Sequence, residues 1–281
     1  MRKGGKVGVR TDAQRFGRIC VLGGGSLGQA LARGLVERGG MDPEDITVTR
    51  RDCSKLQDLA SIGILVTGDN ISALDDSEIV IIAVQPQQVP GLFMEIREVA
   101  ESRSHTFISV VSGISTETVR EGLGLTSNPV VRAMPNTAVT VGEAVTCLAS
   151  MDSKALNEAE VLFKSIGKTL RLAEEMITPS TALSACGIAF FLRCIRAASQ
   201  GGIEIGFHPE EALFLAAQTA KGAASLILEA GLHPEDGIDQ VTTPRGCTIA
   251  GLNEMEHQGL SSAIIRGIVT SAEQADGFTE K

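Results

Sequence analysis

The chain has 281 residues, 43% of them hydrophobic, with a formal net charge of −9 and a pI near 5.1. That length and apolar content suffice for one large core or two medium ones. The acidic balance excludes a binding face built on a basic surplus, so no nucleic acid and no anionic membrane is expected as a partner.

Taken in chain order, residues 1–17 are charged and glycine-rich with no apolar stretch behind their Arg and Lys, which predicts a flexible tail rather than a secretory signal. From residue 18 to about 150, short apolar runs of β-branched character recur at 18–22, 46–49, 63–66, 78–83, 107–111 and 129–132. Amphipathic stretches of helical period fill the gaps at 26–39, 86–100 and 115–123. This alternation is the pattern of βαβ units, so the fold class is α/β, a Rossmann-like doubly wound parallel sheet. Residues 141–149 and 168–172 are candidates for further strands, with a helix over 152–166 between them.

After about residue 175 the strand signal stops. Thr178 reads as an N-cap with Pro179 at the first helical position, followed by a small-residue apolar helix to about Ile205. Further helices begin at Pro209, with Glu210 and Glu211 in the first turn, at Pro234, at Thr248 and at Ser261. The predicted division is a tail over 1–17, a nucleotide-binding domain over 18–172 and an all-helical domain over 173–281. A helix over 179–205 would span about 40 Å at 1.5 Å per residue, longer than its own domain's core requires. Its Ala, Gly, Ile and Phe surface predicts burial between subunits. Arg193 and Arg196 interrupt this most apolar segment, so no run of about 18 residues is expected to cross a bilayer. Six cysteines are scattered without a CxxC pair or a nearby histidine cluster, which points to reduced thiols in the cytoplasm and to no metal site.

The chemistry-bearing motif follows the first strand. Gly23, Gly25 and Gly28 form a GxGxxG pattern at a strand-to-helix junction, with Ser26 and Leu27 opening the helix. Gly23 permits the tight turn, Gly25 lets backbone approach a pyrophosphate, and Gly28 allows close packing of helix on strand, while the helix start supplies amide donors. About 20 residues on, where NAD enzymes place an acid, the chain has Thr49, Arg50 and Arg51. Two guanidinium forks and a hydroxyl suit a 2′-phosphate, which makes NADP(H) the expected cofactor and disfavours NADH. The bland reading is a pair of solvated loop arginines beside Asp52. Ala83, Val84, Gln85 and Pro86 end another strand where the cofactor crevice is expected.

Arg132-Ala-Met-Pro135-Asn136-Thr137 resembles the RAMPNT signature of pyrroline-5-carboxylate reductases, and Ala83-Val84-Gln85-Pro86 is similar to that family's AVKP, with Gln for Lys. The resemblance extends over nearly the whole chain from residue 18. It implies a C-terminal dimerisation domain, NADPH-dependent reduction of Δ1-pyrroline-5-carboxylate to L-proline, and a homodimer or ring of dimers. It also implies that Met134, Pro135 and Asn136 border the cofactor, and that substrate enters between the sheet edge and helices of the second domain, partly from a second subunit. The bland alternatives are packing for Met134 and a turn for Asn136.

The family's Ser-Pro-Gly-Gly-Thr/Ala-Thr loop corresponds here to Thr243-Pro244-Arg245-Gly246-Cys247-Thr248, with Arg245 in place of a glycine. The resemblance implies that this loop holds the substrate carboxylate and that Thr248 contacts the ring nitrogen as the catalytic residue. Arg245 either serves the same carboxylate or fills the pocket and changes the substrate. The family's Gly-Ser-Gly/Ser-Pro-Ala is here Ala185-Cys186-Gly187-Ile188-Ala189, which alters one pocket wall. Thr243 and Thr248 also suit turn and cap roles, and Cys186 and Cys247 suit packing.

Imine reduction needs orientation, exclusion of water and a hydrogen bond to nitrogen, and no general acid stands out among His208, His233 and His257. Two alternatives remain open: an NADP-dependent reductase of another carboxylated imine or hydroxyacid, and a non-catalytic NADPH-binding sensor. The hydroxyacid branch is disfavoured by the absence of any lysine between Lys168 and Lys221.

Overall fold

The computed structural model describes residues 16–276. The expected tail lies outside the described residues as far as residue 15, whereas Phe16 already packs against the core. The chain divides into two compact units between Glu174 and Glu175.

The first unit alternates strands and helices: β1 (Ile19–Leu22), α1 (Ser26–Glu37), β2 (Ile46–Thr49), α2 (Gln57–Ser61), β3 (Leu65–Thr67), α3 (Asn70–Asp75), β4 (Ile79–Ile82), α4 (Val89–Ala100), β5 (Thr106–Ser109), α5 (Thr116–Leu123), β6 (Val130–Met134), β7 (Ala144–Ala149), α6 (Ser153–Lys164) and β8 (Gly167–Arg171). They build one eight-stranded sheet in the order β3-β2-β1-β4-β5-β6-β7-β8. The central strands are apolar on both sides because helices cover both faces. Ile19 and Val21 of β1 and Ile79 and Ile81 of β4 pack with Leu31, Leu35 and Phe163 on one face. Cys20, Leu22, Val80 and Ile82 pack with Phe93, Ile96 and Val119 on the other. Burial pushes the Cys20 thiol up to about 12, so it behaves as a small core residue.

The sheet departs from all-parallel pairing at one ladder: β6 and β7 run antiparallel, Arg132 opposite Ala149 and Met134 opposite Cys147. Only the short 3₁₀ segment Thr137–Val141 separates them, too little chain for the crossover that parallel pairing needs. β8 returns parallel to β7 through α6.

Glu101 fastens the end of α4 to the loop before β6. Its carboxylate accepts from Thr126 N at 2.6 Å, Thr126 Oγ1 at 2.5 Å and Ser127 N at 2.8 Å. The Thr126 hydroxyl and then the loop amides hold its pKa down, against partial burial, at about 2. A carboxyl whose folded pKa is depressed contributes stability above its unfolded value and loses it as pH falls through the folded value. Glu101→Gln is therefore expected to cost about 1–2 kcal/mol at neutral pH, discounted for partial exposure. Melting curves of the two proteins should converge between about pH 4.5 and 2.

The second unit is helical. A continuous helical run, Glu174–Glu204, contains α7 (Ile177–Ser180), a π-turn (Thr181–Ala185) and α8 (Gly187–Glu204), and is followed by α9 (Pro209–Leu228), α10 (Pro234–Val241), α11 (Cys247–His257) and α12 (Leu260–Asp276). The run starts one turn earlier than expected. Thr178 is therefore buried within the helix rather than capping it, and Pro179 is not at the first position. The proline is tolerated because Glu174–Met176 ahead of it is 3₁₀, with no i→i−4 ladder for the ring to break. The run is 31 residues long with an 18-residue window of mean hydropathy 1.4, enough by length and composition to cross a membrane, contrary to the expectation from Arg193 and Arg196. Both arginines fall in its C-terminal half and leave an apolar stretch ahead of them.

Within this unit the buried apolar side chains among the described residues are few: Ile177, Ala182, Ala212 and Ala275. Phe191 (64% exposed) and Phe214 (68%) face outward. An apolar groove of about 470 Å³ between α8 and α9 is lined by Phe191, Ile195, Phe207 and Leu215.

Candidate functional site

Strand order reverses between β1 and β4, and the loops leaving the C-terminal ends of β1, β2 and β4 open there into a cleft of about 700 Å³. A switch point of this kind is where open α/β sheets bind ligands. The cleft is lined by Gly23, Gly24 and Gly25, by Thr49, Arg50 and Arg51, and by Ala83, Val84 and Gln85, so the sequence-derived residues of three separate loops meet in one place.

Each glycine of the motif has a distinct reason. Gly23 adopts φ +115°, and a Cβ on it would lie 2.7 Å from the Ala83 backbone. A Cβ on Gly28 would lie 2.1 Å from the Gly23 carbonyl oxygen, so helix α1 packs on the loop only because that atom is missing. Gly25 has open space where its Cβ would be. It is the N-cap of α1 and offers no side-chain acceptor, which leaves the first amides of the helix turned to the cleft. A bare backbone at a helix N-terminus, with arginines across the opening, fits the pyrophosphate and 2′-phosphate of a dinucleotide.

Thr49 is 2% exposed, and its hydroxyl accepts from Gly23 N at 3.3 Å, while its carbonyl accepts from Gly24 N at 2.7 Å. Arg50 is half-buried and its Nη1 donates to the Gly24 carbonyl, which also accepts from Gln29 Nε2 at 2.9 Å. Arg51 is exposed and, among the described residues, donates to no protein partner. Lys55 lines the same cleft, 3.8 Å from Asp52 Oδ2 in an exposed pair. The Ser54 hydroxyl, with smaller help from its amide and from Lys55 and Arg50, draws the Asp52 pKa below the usual range.

The cleft also contains residues the sequence did not single out, Lys55, Asn70, Gln87, Gln88 and Glu95, and Asp52, which the sequence offered only as a neighbour of the arginines. Asn70 Nδ2 donates to both Glu95 carboxylate oxygens at 3.0 Å, tying α3 to α4 at the cleft wall. Only Lys55 had a signal, as a cation one 3₁₀ turn beyond the arginines. Nothing in spacing or composition marks Asn70 or Glu95.

Ser26, Leu27, Gly28 and Pro86 are near lining residues in the chain but do not themselves line the cleft. Met134, Pro135 and Asn136 are buried and do not line this cleft. The Asn136 side chain accepts from Ala138 N at 3.2 Å, capping the 3₁₀ segment Thr137–Val141. Arg132 beside them is buried. Burial lowers its pKa from the usual arginine range, and the charge of Glu174 opposes that shift. Glu174 itself accepts from Thr116 N and Thr116 Oγ1, each at 2.6 Å.

In the second unit, Gly246 N donates to the Thr243 carbonyl at 2.9 Å, closing a four-residue turn with Pro244 and Arg245 at its centre. Arg245 has φ +60°, and no other non-glycine residue among those described has a positive φ. A proline followed by a left-handed residue is the pattern of a type II turn, whose third position favours glycine. Gly246 is the N-cap of α11 without a side-chain bond, and a Cβ on it would lie 2.5 Å from Thr243 Oγ1. The turn thus brings Thr243, exposed Arg245 and exposed Cys247 to the open N-terminus of α11, with Thr248 in its first turn. Such an end, with a guanidinium beside it, suits a carboxylate.

Residues 174–277 match the family model for pyrroline-5-carboxylate reductase dimerisation, and residues 18–113 match that for NADP oxidoreductase, coenzyme F420-dependent. The chain is 48% identical over 278 residues to pyrroline-5-carboxylate reductase 1 of Dictyostelium discoideum, covering 94% of this chain and 50% of that protein. It is 45% identical over 284 residues to pyrroline-5-carboxylate reductase 2 of the same organism, covering 95% of each. The chain therefore spans about half the length of the first relative and nearly all of the second. Among solved structures, a pyrroline-5-carboxylate reductase from Coxiella burnetii superposes with a TM-score of 0.84 at 27% identity, over 95% of this chain and 100% of that one. The Plasmodium falciparum pyrroline carboxylate reductase with NADP bound superposes with a TM-score of 0.83 at 22% identity, over 93% and 98%, and supports the fold.

Proposed function

The chain belongs to the pyrroline-5-carboxylate reductase family, and on that premise we propose that it reduces Δ1-pyrroline-5-carboxylate to L-proline with NADPH, the last step of proline synthesis. The observation that carries this reading is the cleft at the switch point, where the glycine loop and Arg50 and Arg51 meet. NADPH bound there supplies a hydride to the imine carbon, and the proton enters with the protonated imine nitrogen.

The protein's own share is positioning. The amides of the glycine loop and the start of α1 hold the pyrophosphate, and the cationic end of β2 selects NADPH over NADH. The turn Thr243–Gly246 and the first amides of α11 hold the substrate carboxylate, with Arg245 adding a charge-assisted bond. The Thr248 hydroxyl oxygen accepts a hydrogen bond from the protonated ring nitrogen, and orientation rather than acid catalysis lowers the barrier.

We further propose that the enzyme works in the cytoplasm as a homodimer or a ring of dimers. The outward Phe191 and Phe214 and the length of the helical run support an interface built on α8 and α9.

The test is the fall in NADPH absorbance on adding Δ1-pyrroline-5-carboxylate to purified protein, with NADH in parallel. Turnover preferring NADPH is expected. Tight NADPH binding without turnover would sink the proline assignment. One observation favours a second reading, reduction of a different carboxylated imine: Arg245 stands where the family motif has glycine. A six-membered cyclic imine carboxylate in the same assay separates the two by relative kcat/KM.

A further inference from the structure

The arginines at the end of β2 are adjacent in sequence but do not face the same surroundings. Arg50 is half-buried and turned back onto the glycine loop, its Nη1 2.5 Å from the Gly24 carbonyl oxygen. That carbonyl accepts a second donor, Gln29 Nε2, while the Gly24 amide is held by the Thr49 carbonyl and the Gly23 amide by the Thr49 hydroxyl. Gly24 is thus held at both its amide and its carbonyl, and of the four bonds to the loop two come from Thr49 at the end of β2 and one from Arg50 just after it. Arg51, by contrast, is exposed and without a protein partner among the described residues. Lys55 is exposed too, and its pairing with Asp52 Oδ2 at 3.8 Å is long and solvent-exposed, while Ser54 N at 3.2 Å and Ser54 Oγ at 2.6 Å both donate to the other oxygen, Oδ1.

We propose that these cations divide the work: Arg50 is a positioning residue that holds the glycine loop in shape for NADPH and NADH alike, whereas Arg51 and Lys55 recognise the 2′-phosphate and set the preference for NADPH. This rests on the reading that a dinucleotide occupies the cleft. Turning Arg50 outward onto a phosphate would strip the Gly24 carbonyl of its charged donor. Arg51 and Lys55 lose only hydration and a loose, solvent-screened contact when they turn to the same group. The 3₁₀ turn Cys53–Leu56 carries Lys55 back into the cleft that Arg51 also lines.

The test is calorimetric titration of the full-length protein with NADPH and with NADH, in Arg50→Met, Arg51→Met, Lys55→Met and Arg50→Lys, each checked by thermal melting. Arg51→Met and Lys55→Met are expected to weaken NADPH about tenfold each and to leave NADH unchanged, the size of one charge-assisted hydrogen bond. Arg50→Met is expected to weaken both cofactors by a similar factor and keep their ratio. Arg50→Lys, whose ammonium still reaches the Gly24 carbonyl, restores most of both affinities. A loss confined to NADPH in Arg50→Met or Arg50→Lys would overturn the division of labour. Arg50→Lys decides the matter if Arg50→Met melts early. Failure of the wild type to bind either cofactor would instead overturn the cofactor reading itself.

Discussion

Gly28→Ala is expected to lower NADPH affinity at least 100-fold and to destabilise the protein by about 2–3 kcal/mol, because the added methyl has nowhere to go. Its Cβ would lie 2.1 Å from the Gly23 carbonyl oxygen and 3.2 Å from the Gly23 carbonyl carbon. Both are backbone atoms of the cofactor loop, so α1 must move off the sheet or the loop must open. Gly25→Ala is the informative companion. Nothing lies within 4 Å of its would-be Cβ, so the fold should tolerate the methyl while the methyl stands in the path of a pyrophosphate. Melting temperature and NADPH titration together separate the two: Gly28→Ala moves both, Gly25→Ala only the second. Unchanged NADPH binding by Gly25→Ala would mean that the dinucleotide does not approach the loop at that point.

Arg245→Gly is expected to raise KM for the imine about 10- to 100-fold, with kcat changed little, while leaving stability unchanged or raising it by up to about 1 kcal/mol. The stability side follows from φ +60° at Arg245. A left-handed conformation costs a side-chain-bearing residue about 1–2 kcal/mol, and glycine removes that strain while adding roughly 0.4–1 kcal/mol of unfolded-state entropy. The affinity side follows from loss of the one cation on the turn ahead of α11, since the remaining amides bind a carboxylate without a charged partner. Arg245→Ala keeps the strain but removes the charge, so it should match glycine in KM without its gain in stability. Wild-type KM in Arg245→Gly would show that backbone amides alone hold the carboxylate and that the arginine is a surface residue.

Some features were legible without coordinates because they are local. Six apolar runs of four to six residues located β1 to β6, and the candidate stretches 141–149 and 168–172 located β7 and β8, all to within two or three residues, while glycine spacing located the turn after β1. Pro209 with Glu210 and Glu211 marked the start of α9, since proline at the first position and acids in the first turn answer the needs of any helix N-terminus. Other features were not legible. The antiparallel ladder of β6 and β7 depends on how little chain joins them, and the run 141–149 read as strand hides that residues 137–141 are 3₁₀. For Asn136 the family motif implied a place at the cofactor and its residue type a turn, and its side chain caps that same segment.

The pair Arg50 and Arg51 marks the boundary between what the chain's own sequence determines and what its tertiary structure decides. Sequence placed two guanidinium groups at the end of the second strand, where a dinucleotide's ribose is read, and so determined the cofactor class and the βαβ frame; those are properties of residue type and spacing. Both arginines line the cleft, and which of them is tied back to the glycine loop depends on where the loop after β1 comes to rest against the end of β2, 26 residues away along the chain. That contact forms only when the parallel strands pair, Leu22 beside Thr49, and deliver the Gly24 carbonyl to Arg50. A hydrogen bond between residues so far apart is fixed by sheet register, which no local pattern contains.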